Sequence, residues 1–257
     1  MKEKKDIRSL SIEELTSFFK SNNMPSYRAK QVYNWLWKKS CLSFDEMTNI
    51  SLELRNLLKS KFVINHIKID KLQKSKDGTI KNAISLYDNL LVESVLIPTK
   101  SRTTACISSQ VGCSLDCEFC ATSKMDRIRN LNPDEIYDQA VTINSQSVKY
   151  HGRPISNIVF MGMGEPLLNY SNVIKGIDKI TSKEGLGMSP KRITVSTSGI
   201  SKLIIKMADD NVKFNLAISL HSAIEKTRNK IMPFSKKFPL ENLLEAVKYW
   251  YLKTNKI

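Results

Sequence analysis

The 257-residue sequence lacks an apolar run long enough to span a membrane as a helix. It also lacks an apolar segment behind its basic start, Met1-Lys-Glu-Lys-Lys5, so no secretory signal peptide is expected. Cysteine is scarce: there are five, an odd number, and three of them share one short stretch. That pattern argues against a secreted disulfide scaffold and for a reducing, cytoplasmic setting. Acidic residues are few, 25 against 40 Lys and Arg, which leaves a net charge of +15. Such an excess fits either a lysine-rich background or a polyanionic partner, most often nucleic acid, and charge alone does not choose between them.

What the chain does have is Cys113-Ser-Leu-Asp-Cys117-Glu-Phe-Cys120, the pattern C-x3-C-x2-C. Several soft thiolates on one loop can surround a metal or an iron–sulfur cluster. Zinc modules pair C-x2-C with a second Cys or His pair, and no such pair occurs here. A four-iron cluster normally takes four thiolates. Three would leave one iron open for a small molecule.

The order of the chain places this loop. Residues 1–65 read as a helical accessory module suited to RNA through basic side chains. Ser11 and Glu14 have capping-box spacing, a second helix runs from Tyr27 to Lys39, and Ser51 caps a third. Trp35 and Trp37 are candidate core residues of that module, and Cys41 reads as structural. Residues 66–98 read as a β-hairpin linker, with strands Ile84–Tyr87 and Leu90–Ile97 around Asp88-Asn89. Alternation along the second strand puts Glu93 on the solvent face. From residue 99 to 257 about four βα units follow, with strands at Thr104–Ser109, Asn157–Phe160, Arg192–Val195 and Phe214–Ile218. This predicts an α/β fold, a partial (β/α) barrel of parallel strands. The cysteines, Gly164-Glu165, Ser196 and Ser219-Leu220-His221 each come just after a strand, where βα barrels build their sites.

A cysteine loop of this spacing after the first strand resembles the radical S-adenosylmethionine (SAM) superfamily. The match sharpens with Ala105-Cys106-Ile-Ser-Ser-Gln-Val-Gly-Cys113, Met161-Gly-Met-Gly-Glu-Pro-Leu-Leu-Asn169, Val195-Ser-Thr-Ser-Gly199 and Ala217-Ile-Ser-Leu-His221. Together these resemble the RlmN family, which methylates C2 of an adenosine in 23S rRNA and in some tRNAs. The related Cfr enzymes, which methylate C8, are the weaker match at Pro166–Asn169 and Ser196–Ser198. The resemblance implies a [4Fe-4S] cluster on Cys113, Cys117 and Cys120, and SAM held by Gly164, Glu165, Ser196, Ser219, Leu220 and His221. It implies Glu93 as proton acceptor, against its solvent-face reading. It implies Cys106 as the thiol that resolves a protein–RNA adduct by a disulfide with a methyl-carrying cysteine, and a reductant such as flavodoxin as partner. The methyl carrier of the family falls beyond Cys120, the last cysteine here. The resemblance also implies about six βα units where about four are read. The expectation is therefore a fragment that binds a cluster and cleaves SAM without itself placing a methyl group on RNA; label from SAM at adenine C2 would contradict it. Two other readings remain open: a radical SAM enzyme with another substrate, and an inactive RNA-binding remnant.

Overall fold

The structure, a computed structural model, describes residues 4–256. Met1–Glu3 of the basic start, and Ile257, lie outside the described residues.

Three helices open the fold: α1 (Ile12–Ser21), α2 (Tyr27–Trp37) and α3 (Leu52–Lys61). α1 begins where Ser11 and Glu14 close a capping box. The Glu14 amide donates to Ser11 Oγ (3.1 Å) and the Ser11 amide to Glu14 Oε2 (2.7 Å). Ser51 caps α3 by accepting from the Leu54 amide (3.4 Å). Ala29, Val32 and Leu36 recur on one face of α2 and are buried with Trp37, whereas Trp35 is only partly covered and donates to Asn49 Oδ1 (2.5 Å). Cys41 is buried just beyond this helix.

A seven-stranded sheet follows: β1 (Lys68–Lys74), β2 (Ile80–Ser85), β3 (Leu91–Pro98), β4 (Thr103–Cys106), β5 (Asn157–Phe160), β6 (Ile193–Thr197) and β7 (Asn215–Ile218). β1 to β4 are antiparallel neighbours; β4, β5, β6 and β7 are parallel, in chain order. The segment 66–98 thus holds one strand more than a hairpin, and its strands continue the main sheet. β1 escapes sequence analysis because Lys-Ile-Asp-Lys-Leu-Gln-Lys is exposed at every position and has no apolar face. Its lysines suit an edge strand, where charge discourages further pairing. Among the described residues β7 is the opposite edge.

Helices α4 (Pro133–His151), α5 (Tyr170–Thr181), α6 (Ser201–Asp209), α7 (Glu225–Ile231) and α8 (Leu240–Thr254) complete the chain. Ala105, Ile158, Phe160, Ile193 and Val195 are buried on the helix-covered side of the sheet. Register puts Val95, Cys106, Val159 and Thr194 side by side on the other face, and alternation adds Glu93 to it. No helix among the described residues is long and apolar enough to cross a membrane.

The helical module is docked on α4. Trp37 meets Tyr137 edge to face at 5.3 Å, and Tyr137 Oη donates to the Trp37 carbonyl (2.5 Å). Arg8, with its side chain 4% exposed, forks onto Asp138 (2.8 and 2.9 Å) and reaches Asp134 (3.2 Å). It also donates to the Asn65 carbonyl. Removing one partner of a buried ion pair strands the others, which typically costs about 3–5 kcal/mol. Arg8→Met is therefore expected to lose stability on that scale in denaturant unfolding. A loss below about 1 kcal/mol would mark the clasp as peripheral.

Candidate active site

The first βα connection does not run straight from β4 into the cysteine loop. Residues Gln110–Val111 pair antiparallel with Arg129–Asn130 and close the loop at its base. Inside that neck, Ser123 Oγ lies 2.6 Å from the Cys117 carbonyl and 2.7 Å from that of Cys120. Cys117 is 7% exposed and packs with Leu115 and Met232; Cys113 and Cys120 border the same cluster. Burial, helped by the neighbouring Cys113 and Cys120, pushes the Cys117 thiol up to about 11. Cys113 is raised for the same leading reason. Metal-free, Cys113 and Cys117 hold their protons, and a metal must displace them on binding.

The loop after β5 is fixed against this neck by Gln110, which is fully buried. Gln110 Oε1 accepts from the Glu165 amide (2.8 Å), and Nε2 donates to Asn130 Oδ1 (2.8 Å). Gly164 sits at φ +93°, and a Cβ there would lie 2.4 Å from Gln110 Cβ. Ser108 Oγ accepts from the Met163 amide (2.8 Å) and donates to the Glu93 carbonyl (2.6 Å). Glu165 is buried, and burial raises its pKa against the pull of its bonds. Its carboxylate accepts from the Leu167 amide (3.1 Å) and the Ser198 amide (2.8 Å), tying the loop after β5 to the loop after β6. The β6 and β7 ends meet where Ser219 N donates to the Thr197 carbonyl (2.9 Å) and the Ser196 and Ser219 hydroxyls lie 3.4 Å apart.

These loops enclose a cavity of about 280 Å³ lined by Cys113, Cys117, Cys120, Gly164, Glu165, Ser196, Ser219 and His221. A larger hollow, about 700 Å³ between α5 and α6, holds none of these residues. Phe119, 52% exposed, lies against His221 with ring centroids 3.9 Å apart at the rim. Three residues singled out in the sequence are not in the cavity lining. Leu220 is 42% exposed and offers its carbonyl to Arg228 (2.7 Å). Glu93 is exposed and ion-paired with Lys81 (2.6 Å). Cys106 is buried on the same sheet face as Glu93, its thiol pushed up to about 11 by burial. All five cysteines are free.

Gln110, Phe119 and Arg228 carry the site's geometry and are missed by sequence reasoning. Gln110 and Phe119 sit inside the informative motifs. Arg228 stands in a short basic helix with nothing to set it apart.

Thiol chemistry follows from these burials. In reduced, iron-free protein, iodoacetamide is expected to label Cys120 first. Cys41, pushed up to about 12 by burial, and Cys106 stay unlabelled until denaturant is added. At pH 8 roughly one in a thousand molecules or fewer carries a thiolate at such a position. Peptide mass mapping checks this; Cys106 labelled as fast as Cys120 would contradict it.

No three His, Cys, Asp or Glu side chains among the described residues converge on a point suited to a single ion. The three thiols line one cavity, and a multi-iron group takes its thiolates on separate irons.

Residues 5–64 match the ribosomal RNA large subunit methyltransferase N-terminal domain, and residues 107–252 match the radical SAM superfamily. The chain is 66% identical over 252 residues to a protein of Flavobacterium johnsoniae named probable dual-specificity RNA methyltransferase RlmN, covering 98% of this chain and 72% of that one. It is 46% identical over 241 residues to the dual-specificity RNA methyltransferase RlmN of Syntrophus aciditrophicus, covering 94% of this chain and 68% of that one. Among solved structures, a radical SAM methyltransferase from Sphaerobacter thermophilus superposes with a TM-score of 0.90 at 32% identity, over 98% of this chain and 74% of that one. With both family models matched, and this site inside the second of them, the chain belongs to the RlmN family of radical SAM RNA methyltransferases.

Proposed function

We propose that this chain supplies the cluster-binding, SAM-binding and RNA-facing parts of an enzyme that methylates C2 of an adenosine in 23S rRNA and in some tRNAs, in the cytoplasm. The observation that supports this best is the meeting of four strand ends at one cavity. The cysteine loop, the Gly164-Glu165 loop, Ser196, Ser219 and His221 all line it.

The donor set fits a [4Fe-4S] cluster: three thiols on one necked loop, beside an open cavity. Cys113, Cys117 and Cys120 would hold it. When bound and reduced by a donor such as flavodoxin, it supplies the electron that breaks a sulfonium carbon–sulfur bond of SAM. The protein's own work is to orient and to exclude water. Gly164 lines the cavity without a side chain, and in this reading the backbone carbonyls beside it accept from the SAM amino group. Ser196, Ser219 and His221 line the opposite wall. Glu165 acts through the loops it ties together, because both its oxygens are engaged. Leu220 takes part through its backbone, since its side chain turns outward.

On the RNA side, Glu93 and Cys106 share the open face of the sheet. In this reading Glu93 takes the proton from C2, and the Cys106 thiolate attacks the sulfur of a methyl-carrying cysteine, forming a disulfide as the sulfur–carbon bond to the product breaks. Arg28, Lys30, Lys38 and Lys39 on and beside α2 add phosphate-binding charge. The test is anaerobic reconstitution followed by dithionite and SAM. Formation of 5′-deoxyadenosine and methionine is expected, together with binding of an rRNA hairpin that weakens as salt rises. A fully loaded protein that leaves SAM intact would refute the reading.

A further inference from the structure

Arg228, on α7, is 0% exposed, which is rare for a cation without an acidic partner. No carboxylate lies within ion-pair distance of it among the described residues. Glu225, one turn earlier, spends its carboxylate on the Leu240 amide (2.8 Å) and Asn229 (3.3 Å). The guanidinium instead donates to three carbonyls: Ser198 (2.7 Å), Ser219 (3.0 Å) and Leu220 (2.7 Å). Its Nε has no partner. Burying such a charge is costly, and carbonyl dipoles offset only part of the cost.

Two further observations show where it points. The three carbonyls belong to the loops after β6 and β7, which line the cavity. Arg228 Nη1, which holds the Ser219 and Leu220 carbonyls, also lies 3.3 Å from Met232 Sδ, and Met232 packs against Cys117 and Leu115 in the cysteine loop. The Ile231 carbonyl accepts from the Glu118 amide (3.0 Å), so α7 is stitched to that loop. The loop after β6 is shaped around the guanidinium: a Cβ on Gly199, at φ +100°, would lie 3.2 Å from Arg228 Nη2.

We propose that Arg228 is a positioning residue that ties the two SAM-facing strand ends to the cysteine loop and provides the buried countercharge of the cluster. This rests on the cluster-and-SAM reading above. A [4Fe-4S] core on three thiolates is net negative, and reduction makes it more so. A cation in a medium of low dielectric therefore favours the reduced form and raises the midpoint potential. The same fork holds both cavity loops where SAM needs them.

The test compares wild type with Arg228→Met, which keeps the length and removes the charge, and Arg228→Lys, which keeps the charge and removes the fork. Iron and sulfide content sets the loading, an EPR-monitored redox titration gives the potential, and equilibrium dialysis gives the SAM Kd. Cluster-loaded Arg228→Met is expected to have a more negative potential and SAM binding weaker by about tenfold or more, the scale of a lost charge-assisted bond. Arg228→Lys is expected to keep the potential and still lose SAM affinity. If Arg228→Met fails to load, Arg228→Lys decides: a wild-type Kd overturns the proposal. So does a wild-type potential or wild-type affinity in loaded Arg228→Met. A wild-type protein whose cluster ignores SAM would instead overturn the reading beneath it.

Discussion

Alanine at position 164 is expected to abolish useful SAM binding while the iron and sulfide content stays at the wild-type level. Gly164 has φ +93°, a conformation that L side chains rarely adopt. The added Cβ would also sit 2.4 Å from Gln110 Cβ and 2.9 Å from the Gln110 amide nitrogen. Gln110 cannot retreat. It is fully buried, its side chain holds both Glu165 and Asn130, and its backbone belongs to the neck of the cysteine loop. The loop after β5 must therefore move, and it moves on the cavity side. Overpacking a fixed site costs about 1–3 kcal/mol, and the strained backbone adds about 1–2 kcal/mol. Where the bound loop bears that strain, SAM binding is weaker by roughly 30-fold to a few thousand-fold. The cysteines lie on a different loop, so loading should survive. Equilibrium dialysis on cluster-loaded Gly164→Ala checks this, and a Kd within threefold of wild type would contradict it.

Cys117→Ala should have the complementary effect: no cluster, no visible absorbance and no SAM cleavage. Cys117 is the most buried of the three thiols on the loop and packs between Leu115 and Met232. With only Cys113 and Cys120 left, a four-iron cluster has two protein ligands, too few to hold it against loss to solvent. Cys41→Ala should load normally, because Cys41 lies in the helical module's core. Cys106→Ala should also load and cleave SAM, since Cys106 lies outside the cavity lining. Iron and sulfide analysis separates these cases. A loaded Cys117→Ala would move the cluster elsewhere.

Local signals carried much of this fold. Ser11 with Glu14, and Ser51, mark helix starts because the capping hydrogen bonds form within one turn and need no tertiary help. The four parallel strands are short apolar runs between helical patterns, and the residues behind them converge because every βα connection returns the chain to the same end of the sheet. What escaped depends on partners distant in sequence. β1 is a strand only because β2 pairs with it. Arg228 is unremarkable until three carbonyls and Met232 surround it. The neck of the cysteine loop is two residues against two, below any periodic signal. Glu93 shows a different limit. Alternation places it on a solvent face, and it is exposed, yet that face also carries Cys106. Alternation along a strand separates the two faces of the sheet but does not say what the exposed face meets.

Cys113, Cys117 and Cys120 are proposed to hold a four-iron cluster and to leave one iron for SAM. EPR of the dithionite-reduced protein, recorded before and after SAM is added, tests it directly. The reduced [4Fe-4S] signal is expected to change shape and g-values when SAM binds, and to do so in wild type but not in Gly164→Ala. A cluster signal that is identical with and without saturating SAM, at full iron loading, would contradict it.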